Sequence, residues 1–170
     1  MHGFKYAFAG LLLAKGHRED AMKVVRGVRD RYDGRKRNPY NEIECGNNYA
    51  RSMASFALLM IDNGFIFDLP NRMIGFDPQK DAVCGKAFAS IWSLDGAWGT
   101  MEVNGNETVI TVKEGALRAN KLKLPYIDMV ETVLVNGTPV DFTFENGITR
   151  LTEDLSTVNA VEIHVIRALV

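Results

Sequence analysis

The chain has 170 residues and a net charge of −1, with 46% hydrophobic and 24% charged residues. This is the balance of a globular protein, enough for one domain or one domain and part of another, and it excludes a disordered tail. A net charge near zero gives no global attraction to nucleic acid or to an acidic membrane.

The charge is unevenly placed. Residues 1–73 carry +4 and residues 74–170 carry −5, which marks two segments of different character. The first reads as helical. Phe4, Ala7, Phe8, Leu11 and Leu12 follow the spacing of one helix face, and Gly16 supplies a stop. A second helix is predicted from His17 to Tyr32. Ala21, Val24, Val25, Val28 and Tyr32 form its apolar stripe, and Arg18, Glu19, Lys23, Arg26 and Arg29 its wet face. Asp33-Gly34 ends it, and residues 34–46 have no period and read as a loop. A third helix, capped by Asn47 or Asn48, runs to about Asn63. It is apolar nearly all round, which predicts burial.

After Pro70 the pattern changes to period two. Strands are predicted at Lys86–Trp92, Trp98–Val103, Thr108–Lys113, Ala116–Leu124, Met129–Val135, Val140–Phe144, Ile148–Thr152 and Ala160–Ile166. The breaks fall at Asp95-Gly96, Asn104-Gly105, Glu114-Gly115, Asn136-Gly137 and Asn146-Gly147, several of them hairpin dipeptides. The expectation is therefore an α+β chain, with helices over 1–70 and an antiparallel β-sandwich over 71–170. Met1–Tyr6 lacks the pattern of a secretory leader, and no apolar stretch reaches the ~18 residues that span a bilayer. The compartment stays open.

Chemistry concentrates between Asn38 and Ser55. Arg51 is the one charged residue between Glu44 and Asp62, on a helix that is otherwise apolar. A buried guanidinium without a partner costs several kcal/mol, so a carboxylate is required nearby. Glu42 and Glu44 on the preceding loop are the candidates. Such a group either grips neighbouring sugar hydroxyls, carboxylate accepting and Arg donating, or pins the loop to the helix. Two acids in one loop are too common a pattern to argue general acid–base catalysis. The run Arg35-Lys36-Arg37 lacks interleaved aromatics and reads as a solvated loop face, not a nucleic-acid contact. His2, His17 and His164 show no ligand spacing and read as surface or sheet residues. Cys45 and Cys84 make neither a disulfide framework nor a zinc site. No metal and no cofactor are expected. Trp92 and Trp98 flank a turn, and cross-strand core packing is preferred for them over stacking on a sugar.

The run Arg29-Asp30-Arg31-Tyr32-Asp33-Gly34, then Arg37 through Gly46, then Tyr49-Ala50-Arg51-Ser52-Met53-Ala54-Ser55, carries a family resemblance. It is similar to the end of the catalytic domain in bacterial relatives of the non-lysosomal glucosylceramidase (bile-acid β-glucosidase) family. Gly3-Phe4-Lys5-Tyr6 resembles the opening of the preceding helix there, and residues 87–99 resemble the start of the β-domain that follows. The resemblance implies an (α/α)6 barrel and retaining hydrolysis of β-glucosides by two carboxylates. It also implies that a Glu and an Arg nine positions later hold the innermost sugar, a spacing matched by Glu42 and Arg51. Glu44 is an additional candidate contact. The family's nucleophile and acid/base lie upstream of this motif, so the chain is expected to be a C-terminal portion without them. Its substrate would be a β-glucoside or glycolipid bound by the larger enzyme. Helix faces that normally pack inside the barrel would be left exposed and favour self-association. The rival expectation is a non-catalytic carbohydrate-binding or structural β-sandwich module, which exposed tryptophans on one face would favour.

Overall fold

A computed structural model describes residues 2–38, 53–78, 87–125, 128–158 and 161–167. The chain is α+β, and divides into a unit of Met1–Asn63 and a unit of Gly64–Val170. The sequence boundary at residues 70/71 thus lies seven residues later than the division seen here.

In the first unit the described helices are α1 (His2–Ala14), α2 (Arg18–Arg29) and α3 (Phe56–Asn63), the last preceded by a 3-10 turn at Met53–Ser55. α1 closes at Gly16 in a Schellman arrangement. The Gly16 N–H donates to the Leu13 carbonyl at 3.0 Å and the His17 N–H to the Leu12 carbonyl at 2.9 Å. α2 has Glu19 and Asp20 in its first turn and Arg26 and Arg29 in its last, which suits the helix dipole.

The core of this unit joins Tyr6, Ala9 and Leu13 of α1 to Ala21 and Val28 of α2 and Leu58 of α3. The α1 stripe of Phe4, Ala7, Phe8 and Leu11 faces solvent instead, with Phe4 65% exposed. α1 is apolar on both sides, so periodicity alone does not choose the buried one. Small residues choose it: a Cβ added at Gly10 would lie 3.3 Å from Ile61 Cδ1, so α3 approaches there. The expectation of a fully buried third helix is also corrected. Phe56 is 71% exposed and Met53, Leu59 and Met60 are exposed too, because only the side of α3 carrying Leu58 has a helical neighbour among the described residues.

In the second unit β1 (Phe65–Asp68) and β2 (Met73–Phe76) form a hairpin that the sequence reading did not anticipate. β3 (Ala87–Ser93), β4 (Ala97–Asn104), β5 (Glu107–Lys123), β6 (Val130–Val135), β7 (Thr138–Pro139), β8 (Phe142–Glu145), β9 (Ile148–Val158) and β10 (Val161–Arg167) follow. The first half of β5 lies between β4 and β10, which leads on to β6 and β7. Its second half lies between β2 and β9, with β8 beyond. The described pairings are antiparallel except β2 with β5, which is parallel from Met73↔Lys121 to Gly75↔Lys123. The sheet is therefore mixed, a correction to the wholly antiparallel expectation.

β5 is one 17-residue strand where Glu114-Gly115 had suggested a break between two. The glycine bends the strand without ending it. Gly115 has φ +87°, and a Cβ there would lie 2.0 Å from the Gly96 carbonyl oxygen. The pairing slips by one residue beside it, between Trp98 and Gly99 of β4. Both halves feed one apolar core. Trp92, Met101, Ile110, Val112 and Ile163 come from one side, and Ile74, Phe76, Leu117, Leu122 and Leu151 from the other. Asn136-Gly137 and Asn146-Gly147 have positive φ at both residues, as type I′ hairpin turns require.

Candidate functional site

Glu42, Glu44 and Arg51, the sugar-contact candidates, lie outside the described residues, as do Cys45 and Cys84. Their flanks are described. Upstream, Tyr32 is buried with its ring edge-on to His2 of α1, centroids 4.4 Å apart. His2 is itself buried, a correction to the surface or sheet position expected of it. The Arg37 guanidinium sits 5.9 Å over the Tyr32 ring, a cation–π contact.

The basic run forms a tight exposed turn. Asp33 Oδ1 accepts the N–H groups of Arg35 at 3.0 Å and Lys36 at 2.8 Å. These bonds, Lys36's first, hold the Asp33 carboxyl below its ordinary pKa. Lys36 Nζ donates to the Asp30 carbonyl at 2.9 Å. Downstream, Ala54, Leu58 and Ile61 join the α1–α2 core. Arg18, expected on the wet face of α2, donates through Nε and Nη2 to the two oxygens of Asp62 at 3.2 and 3.1 Å. Two parallel bonds of this kind fix orientation as well as distance. Both flanks of residues 39–52 are thus fastened to α1 and α2.

A second polar cluster lies on the solvent side of the sheet. The two tryptophans separate. Trp92 is 1% exposed, with its indole N–H donating to the Thr100 carbonyl at 3.2 Å, while Trp98 is 46% exposed. The expectation of core packing therefore describes Trp92 and is corrected for Trp98. Alternation along β4, with Ala97 and Gly99 buried on either side, turns Trp98 outward, where its indole N–H donates to Glu114 Oε2 at 3.4 Å. One strand away an open cleft of about 380 Å³ is lined by Thr111, Val112, Lys113, Asn136 and Glu162.

Beside it, His164 Nδ1 lies 2.7 Å from Glu107 Oε1 and Nε2 lies 3.4 Å from Glu162 Oε2. The Glu107 carboxylate, with a smaller contribution from Glu162, raises the imidazole pKa against the opposing effect of burial. The i, i+2 spacing of Glu162 and His164 placed both on one strand face in the sequence. Glu107 joins them through the β5–β10 register, which no local pattern reveals. Among the described residues no group of His, Cys, Asp and Glu is arranged to hold a metal ion. None of the described helices is long and apolar enough to cross a membrane. Compared with protein-family models and with curated proteins, the chain matches none.

Proposed function

We propose that this chain is the C-terminal portion of a retaining β-glucosidase of the glucosylceramidase-like kind. On this reading it supplies sugar-binding residues and not the catalytic carboxylates. The observation that carries the reading is the motif from Arg37 to Ser55, in which Glu42 and Arg51 stand nine positions apart as in the family it resembles. The helices would be the last of an (α/α)6 barrel, and the strands would form a β-sandwich. The exposed apolar faces of α1 and α3, carrying Phe4, Phe8, Leu11, Phe56 and Leu59, support a barrel origin, since such faces suit helices that pack against further helices. They also give a lone chain surfaces for self-association. The anchored flanks at Tyr32–Arg37 and Ala54–Asp62 support a motif held on a fixed helical base.

In this role the Glu42 carboxylate accepts from sugar hydroxyls and Arg51 donates to them. They orient a glucosyl unit for attack by a carboxylate elsewhere in the enzyme, with Glu44 as a further contact. Hydrogen bonds to charged groups contribute roughly 1.5–3 kcal/mol. Arg51→Ala in the enzyme carrying this segment is therefore expected to lower kcat/KM for a chromogenic β-glucoside by roughly 10- to 200-fold. The 170-residue chain alone is expected to give no turnover. An unchanged constant in the variant sinks the clamp. Turnover by the lone chain, abolished by Glu42→Gln, would instead make the loop acids catalytic.

A further inference from the structure

We propose that the solvent-facing side of the sheet, from Trp98 across the cleft of Thr111, Lys113, Asn136 and Glu162, binds an uncharged oligosaccharide. This site lies in the other unit of the chain from Glu42 and Arg51 and stands or falls without them.

The register builds the surface. Ile91, Thr100, Thr111 and Glu162 occupy one row across β3, β4, β5 and β10, and Ser93, Trp98 and Glu114 the next. Each outward residue alternates with buried ones: Trp92 beside Ile91, Met101 beside Thr100, Ile110 and Val112 around Thr111, Val161 and Ile163 around Glu162. The pleat thus sets these rows, and the β6–β7 turn adds Asn136 at their side. On it stands a half-exposed indole held at its edge by Glu114. A sugar ring has a face of C–H groups and a rim of hydroxyls, and the face stacks on an aromatic ring. The rim needs donors and acceptors together. Lys113 donates, Glu162 accepts, and the Thr111 and Asn136 side chains do both.

The cleft volume of about 380 Å³ lies within the range of small-molecule sites. Charge argues against an anionic ligand. Glu107, Glu114 and Glu162 outnumber Lys113 and the His164 imidazole on this face, so phosphate, nucleic acid or an acidic glycan would meet repulsion. The backbone near the cleft is held in place: Asn136 exchanges bonds with Glu162, N–H to carbonyl at 2.9 Å and Oδ1 to the Glu162 N–H at 3.0 Å.

The test is amide and indole NMR of the full chain, titrated with cellotetraose and separately with maltotetraose. Binding with Kd on the order of 1 mM is expected, shifting the Trp98 indole resonance and amides of β4, β5 and β10. Trp98→Ala is expected to weaken it roughly tenfold and Trp98→Tyr to restore most of it, since a tyrosine ring also stacks. Lys113→Ala, an exposed change that leaves the core intact, is expected to weaken it severalfold and serves if Trp98→Ala does not fold. The proposal is overturned if neither tetrasaccharide moves these signals up to about 20 mM, or if the variants bind as wild type. It is also overturned if the shifts are confined to the helical unit, which would place binding at the Glu42/Arg51 motif.

Discussion

Gly99→Ala tests how the sheet positions its tryptophans. A Cβ at this position would lie 1.8 Å from the Thr111 carbonyl oxygen and 2.8 Å from Trp92 Cζ2. Neither neighbour is a flexible tip. The Thr111 oxygen cannot swing aside, because it belongs to the backbone of paired β5, and Trp92 is buried with its indole N–H hydrogen-bonded to the Thr100 carbonyl. Overpacking a core costs roughly 1–3 kcal/mol even where side chains can adjust. Here strands β4 and β5 have to part beside the bulge, which places the cost at or above about 3 kcal/mol. For a unit of this size that is a fall in Tm of about 12 °C or more. Both tryptophans lie in the second unit, so a fluorescence melt of the full chain reads its unfolding without interference from the helices. A loss of less than about 4 °C would refute the reasoning, because it would mean the strand spacing relaxes freely around an added methyl.

Two further predictions concern the rest of the molecule. A Cβ at Gly27, inside α2, meets nothing within 4 Å, so Gly27→Ala should stabilise the helical unit by about 0.8–1 kcal/mol, read from the helical circular dichroism during unfolding. His164 has a pKa raised above its ordinary 6.5 by Glu107 and Glu162, so its charged form stabilises the fold. That contribution is complete below about pH 6.5 and is lost as pH rises through the higher folded value. Denaturant midpoints of wild type and His164→Asn should therefore converge on going from acid to alkaline pH, and a constant gap across that range would remove the imidazolium from the account.

What was legible in the sequence was local. The Asn136-Gly137 and Asn146-Gly147 turns could be read because their backbone angles are demanded by the two residues themselves. The alternation along β4 and β10 could be read because each has one wet face. What was missed depends on distant partners. Both sides of α1 are apolar, and the choice between them is made by Ile61 arriving at Gly10. Gly115 carries the same local signal whether a strand ends or bends, and Gly96 across the ladder decides. β1 and β2 are four residues each, too short for periodicity to declare. Trp92 and Trp98 look alike in sequence, and only the β3–β4 register, which sets Trp92 opposite Gly99 and Trp98 opposite Ser93, sends one inward and the other out. Of the sites, the Glu42/Arg51 motif was visible as a string of residues, whereas the Glu107–His164–Glu162 cluster exists only once β10 is in register with β5.

The placement of β5 also matters while the protein is being made. Its residues 107–112 pair with residues 161–166 of β10, roughly fifty positions further along the chain. At about 5–20 residues per second, the ribosome needs roughly 3–10 s to bridge that interval. Through those seconds the strand that organises both halves of the sheet has a neighbour on the β4 side and a bare hydrogen-bonding edge on the other, the geometry that invites pairing with a foreign strand. Soluble yield should therefore respond to translation speed over residues 113–160 and to chaperones that shield open edges, more than to the stability of the finished fold.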